Sequence, residues 1–179
     1  EYQRLGRSGL KVSRICLGCM TYGSPDWRPW VLNEEDSRQF FARALELGVN
    51  FFDTAEIYAM PISRESFGRT EEIIGTWFAN RKNRDKVILA TKVTGRSEID
   101  WCRASGQPAE LSREQIFEAV EGSLRRLQTD YIDLYQLHWP DRGLSAFGSL
   151  GYVHDPEADE TPFEETLDRS EEHTSELQS

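Results

Sequence analysis

The chain has 179 residues, 38% hydrophobic and 29% charged, with a formal net charge of -10. That is enough apolar content for one ordinary packed domain and too much for wholesale disorder. The acidic balance, with no basic stripe interleaved with aromatics, excludes non-specific binding to nucleic acid or anionic membrane.

No apolar run reaches bilayer length and no secretory pattern opens the chain, so the cytoplasm is the expected compartment. In chain order, "EYQRLGRSGLKVSRI" alternates around Gly6 and Gly9 and predicts a β-hairpin. "ICLGCM", residues 15–20, predicts a first buried strand. Residues 33–48 predict a helix, with Asn33 as cap, acids in the first turn and Gly48 as the stop. Its apolar face is Phe40, Phe41, Ala44, Leu45 and Leu47. "VNFFDTA" predicts a second strand, residues 69–81 a second helix, and "KVILATKV" a third strand. Residues 111–128 predict a third helix with Ser112 as cap and Gln115 three residues later, a capping-box spacing. "YIDLYQLHW" predicts a fourth strand, and "TPFEETLD" opens a fourth helix with Thr161 as cap and Pro162 at its first position.

A hairpin followed by four β-α repeats means a parallel sheet with right-handed crossovers. A doubly wound sheet and a (β/α) barrel both fit that order. No G-x-G-x-x-G follows a strand and no phosphate-loop motif is present, which favours the barrel. Long connections leave the C-terminal ends of strands at residues 21–32, 94–110 and 140–160. Such loops are commonly functional. They carry Trp27, Trp30, Trp101, Phe147 and Tyr152, which either wall a substrate pocket or tie the loops down by packing.

The cysteines are Cys16, Cys19 and Cys102, an odd and sparse set that does not build a disulfide scaffold. The C-x-x-C of "CLGC" sits on a strand, where residues three apart face opposite ways, and no second ligand pair accompanies it. Two small core residues are the expectation, and no metal site.

"VILATKV" puts Lys92 at the end of an apolar strand, where an unpaired ammonium is costly to bury. Asp53 ends the strand before and His138 the strand after, while Tyr58 lies five residues past Asp53. In a barrel the C-terminal strand ends converge on one rim. Asp53 can neutralise Lys92 there. An ammonium near Tyr58 is expected to lower the phenol's pKa and make it a better proton carrier near neutral pH. His138 can donate to a substrate oxygen. Together the four suit proton transfer to a carbonyl oxygen. Singly, each has a plain structural role open to it: a helix cap, loop packing, a satisfied histidine beside Trp139.

"FFDTAEIY", "VILATKV" and "YIDLYQLHWP" resemble the motifs of the aldo-keto reductase family, and "YQRLGRSGLKVSRICLGCMTYG" resembles its N-terminal hairpin and first strand. "LRRLQTDYIDLYQLHWP" and the long loops are similar to its Tas-like bacterial branch. The resemblance implies a (β/α)8 barrel and NADP(H)-dependent interconversion of small-molecule carbonyls and alcohols. It implies Tyr58 as general acid, Lys92 tuning it, Asp53 pairing with Lys92, and His138 orienting the carbonyl. It also implies that Met20, Thr21 and Asp53 lie against the cofactor.

Only four strands can be counted where such a barrel needs eight β-α units. Residues 1–168 are therefore expected to be the N-terminal half of the barrel with its hairpin, inactive alone. Residues 169–179, "RSEEHTSELQS", match the in-frame translation of a common sequencing adapter and are set apart as a non-native tail. Two other readings stand beside the reductase: a metal-dependent barrel hydrolase and a non-enzymatic, cofactor-sensing regulatory subunit. The oligomeric state is left open.

Overall fold

The computed structural model describes residues 1–142 together with Pro162, Glu164 and Thr166. The predicted hairpin forms: β1 (Tyr2–Arg4) pairs antiparallel with β2 (Lys11–Ser13), Tyr2 opposite Ser13. Gly6 turns the chain with φ +57°, a left-handed conformation that costs a glycine nothing.

Four further strands build one sheet in the order β3 (Cys16–Gly18), β4 (Phe51–Asp53), β5 (Ile88–Val93), β6 (Leu134–Leu137). Three helices connect them: α1 (Glu34–Glu46), α2 (Arg69–Arg81) and α3 (Arg113–Leu127). β3, β4 and β5 pair in parallel, with Cys16, Phe51 and Ile88 in one rank and Gly18, Asp53 and Ala90 in the next. Each strand lies beside its predecessor in sequence. A doubly wound sheet would reverse direction at a switch point; sequential order is that of barrel staves.

The described residues divide into two compact units, Glu1–Lys92 with Gly122–Gln136, and Val93–Glu121 with the described residues from Leu137 onward. The core of the first is aromatic. Phe52 of β4 stacks on Trp77 of α2 at 5.9 Å, and Phe41 of α1 meets Tyr22 edge-on at 4.8 Å. Ile73, Ile74, Leu89 and Leu127 complete it, all fully buried. Gly75 of α2 is forced by close approach, since a Cβ there would collide with the backbone of Arg126 and Leu127.

Two buried ionic contacts tie this unit together. Glu71 of α2, fully buried, accepts from Arg126 Nε at 2.7 Å and from Thr91 Oγ1 at 2.6 Å. Arg84 donates to Asp133 Oδ2 at 2.7 Å, and that oxygen also accepts from Leu89 N at 2.9 Å, pinning the start of β6 to β5. In the second unit, Ser97 and Ala109 bridge antiparallel within the long loop after β5. Trp139 Nε1 donates to Arg96 O at 2.9 Å, and Arg96 pairs with Asp141 at 3.1 Å.

Several expectations need correction. β3 is not buried on both faces: Cys16 and Gly18 are exposed, and only Leu17 between them is partly covered. Consequently Cys16 is not a core residue, while Cys19, just past the strand, is. An apolar run shows that a strand can be buried, not which faces the rest of the chain covers. The apolar face of α1 is narrower than predicted. Phe41 and Ala44 are buried, but Phe40 is 47% and Leu47 65% exposed. Asn33 caps α1 as expected, its side chain accepting from Asp36 N at 2.9 Å. Gln115 does reach back from α3, but to Glu110 N and Pro108 O, each at 3.0 Å, so the contact extends beyond Ser112 into the loop. Of the fourth predicted helix, Glu164 and Thr166 are helical and Thr166 N donates to Pro162 O at 3.1 Å; Thr161 lies outside the described residues.

Candidate active site

Parallel register decides what meets at the strand ends. Asp53 and Ala90 are partners across β4 and β5, and Lys92 lies two residues further along the same face as Ala90. The lysine therefore reaches the carboxylate. Its Nζ donates to Asp53 Oδ2 and to Thr54 O, both at 2.7 Å. The side chains are 14% and 31% exposed, so the pair is largely shielded from water. The cation that the sequence left awkward has its counter-charge.

Tyr58 enters from the loop between β4 and α2. That loop is held by backbone hydrogen bonds: Tyr58 N to Ala55 O at 3.1 Å, Gly68 N to Glu56 O at 2.8 Å and Ala59 N to Ser66 O at 2.9 Å. Thr70 Oγ1 of α2 donates to Tyr22 O at 2.7 Å, joining the same region to the loop after β3. The Lys92 ammonium stands 5.1 Å from the centroid of the Tyr58 ring, within cation–π range.

The expected lowering of the Tyr58 pKa is not what this geometry produces. Burial pushes the phenol above its ordinary value, and the Asp53 carboxylate and Cys19 push the same way. The first cause is burial, since taking the phenol out of water disfavours phenolate; the nearby ammonium does not reverse it, because Lys92 is engaged by Asp53. Cys16 is exposed as a residue but its thiol is half-enclosed, and that desolvation, followed by Asp53, pushes it up to about 11, with Lys92 opposing. Cys19 is raised well above its ordinary value, chiefly by burial. Neither thiol is an activated nucleophile.

His138 belongs to the second unit. Its backbone N donates to Val93 O at 3.0 Å, and its ring lies 4.9 Å from that of Trp139. The structure thus brings Asp53, Lys92 and Tyr58 together in the first unit and describes His138 in the second. Met20 is 38% exposed just past β3, and Thr21 O accepts from Leu32 N at 2.9 Å, closing the first long loop. Of the loop aromatics, Trp27 packs where a Cβ on Gly23 would meet its ring, Trp30 is 49% exposed and Trp101 is half-buried. Phe147 and Tyr152 lie outside the described residues. Among the described residues no group of three or more His, Cys, Asp or Glu side chains could hold a metal ion, and no helix is long and apolar enough to cross a membrane.

Gln136 escaped the sequence reading of the site. Its Nε2 donates to Asp53 Oδ1 at 3.1 Å, the oxygen Lys92 does not use. The available signal was a polar residue in an apolar strand, two positions before His138 on the same face.

Comparison with known proteins identifies the family. The family model described as "Aldo/keto reductase family" matches residues 14–176. That span includes part of the stretch set apart as a tail. "Protein tas" of Escherichia coli (strain K12) is 40% identical over 168 residues, covering 94% of this chain and 46% of the relative. "Uncharacterized oxidoreductase YrpG" of Bacillus subtilis (strain 168) is 44% identical over 143 residues, covering 79% of this chain and 41% of the relative. Among solved structures, "aldo-keto reductase AKR11C1 from Bacillus halodurans (holo form)" superposes with a TM-score of 0.66 at 36% identity. The alignment covers 98% of this chain and 47% of that one. The chain spans about half the length of the curated relatives it matches.

Proposed function

Because this chain belongs to the aldo/keto reductase family, its fold being the N-terminal part of a (β/α)8 barrel behind a β-hairpin, we propose that the whole protein reduces aldehydes or ketones to alcohols with NADP(H). The observation that carries the reading is the Asp53–Lys92 pair, with the Lys92 ammonium 5.1 Å from the Tyr58 ring.

The residues present suit a nicotinamide riboside. Gly18 is the register partner of Asp53, and a Cβ built on it meets nothing within 4 Å, so the strip beside Asp53 is open to a flat group. Each Asp53 oxygen already accepts one hydrogen bond and has capacity for another, such as a ribose hydroxyl. Met20 and Thr21 would flank the same strip. A reduced nicotinamide, when bound, supplies the hydride that carbonyl reduction needs.

This chain's own residues then have to manage a proton. Hydride gain at a carbonyl carbon would put the C=O π pair on oxygen, which then needs a proton. The Tyr58 hydroxyl gives its proton to that oxygen, and the alcohol forms. The Tyr58 phenol holds its proton at neutral pH, as any phenol does, and a nascent alkoxide is basic enough to take it; the upward push of burial makes Tyr58 a weaker acid than a free phenol, which the alkoxide's basicity has to overcome. Lys92 limits how far Asp53 raises that pKa, since it cancels the carboxylate at 2.7 Å. His138 is assigned the hydrogen bond that orients the carbonyl oxygen. The polypeptide of 179 residues is proposed to be inactive by itself, for it supplies one four-stranded sheet of the proposed barrel among its described residues.

Tyr58→Phe tests the reading. In the whole protein it removes the proton donor and keeps the ring, so kcat for a simple aldehyde should fall by ~10²–10⁴ while NADPH affinity stays within about twofold. A fall in kcat of less than about threefold would rule Tyr58 out as the acid.

A further inference from the structure

The Asp53 carboxylate is held across both oxygens by side chains from two other strands. Lys92 of β5 takes Oδ2 at 2.7 Å; Gln136 of β6 takes Oδ1 at 3.1 Å. Neutralising the lysine requires only the first contact. The second comes from an amide, which does not ionise and does not compete for the ammonium.

We propose that Gln136 is a positioning residue of the acid–base site: it fixes the plane of the Asp53 carboxylate so that Oδ2 alone holds Lys92 at the Tyr58 ring. The inference rests on the reading of Tyr58 as the acid.

A carboxylate turns readily about its last torsion. With Oδ1 released, Asp53 can rotate and offer Lys92 either oxygen. The ammonium then loses the single geometry that keeps it on Thr54 O at 2.7 Å and 5.1 Å from the ring centroid. Misplacement of this order, well away from the reacting atoms, is enough to slow catalysis markedly. The donor also draws charge from the carboxylate. Among the described residues, that charge is felt by Cys16, Cys19 and Tyr58 and is paired by Lys92.

Two variants in the whole protein decide the matter, with kcat and KM for 4-nitrobenzaldehyde and NADPH measured across the acid to alkaline range and melting followed alongside. Gln136→Leu keeps the bulk and removes the donor. It should lower kcat about tenfold with KM within about twofold, the signature of a lost transition-state contact. Gln136→Glu is near-isosteric and conditional. Ionised, it repels Asp53; protonated, near its ordinary pKa of about 4.3 or above, it donates again. Its deficit should therefore be largest in alkali and close toward wild type as the pH falls to about 5. A residue that merely fills space would give one deficit at every pH. Gln136→Leu turning over within about twofold of wild type, or a Gln136→Glu deficit independent of pH, overturns the inference; should Gln136→Leu fail to fold, the Gln136→Glu profile decides alone. Tyr58→Phe runs in parallel. Full turnover by that variant removes the acid assignment and this inference with it. An inactive Tyr58→Phe beside a pH-flat Gln136→Glu removes the inference and leaves the acid assignment standing.

Discussion

Lys92→Met should cost stability as well as turnover, by an amount that follows from how wet its ion pair is. An exposed pair contributes ~0.2–1 kcal/mol, and removing one partner of a fully buried pair costs ~3–5 kcal/mol. Lys92 and Asp53 are 14% and 31% exposed, which places them between those limits. The substitution also strips a hydrogen bond from Thr54 O, whose own residue is fully buried. About 2 kcal/mol is the expected loss, a shift of ~1 M in the urea midpoint for a slope near 2 kcal/mol/M. The assay is a double-mutant cycle in the whole protein, with Asp53→Asn as the second change. Once the carboxylate is neutral, the lysine's partner is gone, so Lys92→Met should cost about 1 kcal/mol less in that background. A coupling below about 0.5 kcal/mol would refute the pairing as the reason for a lysine at this strand end. The same variant leaves Asp53 uncompensated beside Tyr58, so the alkaline limb of carbonyl reduction should move to higher pH than in wild type.

Arg126→Met leaves the fully buried Glu71 carboxylate without its guanidinium, Thr91 still donating to it, and should destabilise the protein by ~3–5 kcal/mol in urea unfolding; a loss under ~1 kcal/mol would mean the pair is dispensable. Glu34 is held below its ordinary 4.5, first by the hydrogen bond from Thr76 and further by Arg38 and Arg69. A lowered folded pKa gives stability that is present above 4.5 and lost as the pH falls through the folded value. Urea midpoints of wild type should therefore exceed those of Glu34→Gln near neutrality and converge with them in acid, and a gap that stays constant with pH would contradict this. Expressed as given, the 179-residue chain should show no saturable NADPH fluorescence change at micromolar concentration and should scatter as a species larger than its 20.6 kDa. Among the described residues β3 and β6 are edge strands, and β3 leaves Cys16 and Gly18 uncovered. A soluble monomer that binds NADPH would defeat that expectation.

What the sequence could disclose here depended on whether a feature is local. The second helix was legible to the residue, 69–81, because Glu71 and Glu72 open it and the apolar spacing of Ile73, Ile74, Trp77 and Phe78 is a property of the segment itself. The meeting of Asp53 with Lys92 was legible too, since period-2 alternation and parallel pairing bring successive strand ends together whatever lies between. The Glu71–Arg126 pair was not. Those residues are 55 apart on two helices, and nothing in either segment says that the gap at Gly75 lets α2 close onto the end of α3. The sign of the Tyr58 shift failed for a related reason. Proximity of a cation was readable, but the burial of the phenol, which raises its pKa first, and the occupation of that cation by a carboxylate at 2.7 Å exist only after folding. Gln136 lies between the two cases. Its face was readable from His138; its meaning required knowing that Lys92 takes one Asp53 oxygen and leaves the other open. A charged pair such as Asp53 and Lys92 announces itself by residue type, whereas a neutral side chain that holds the carboxylate can be recognised only once each of its oxygens has been assigned a donor.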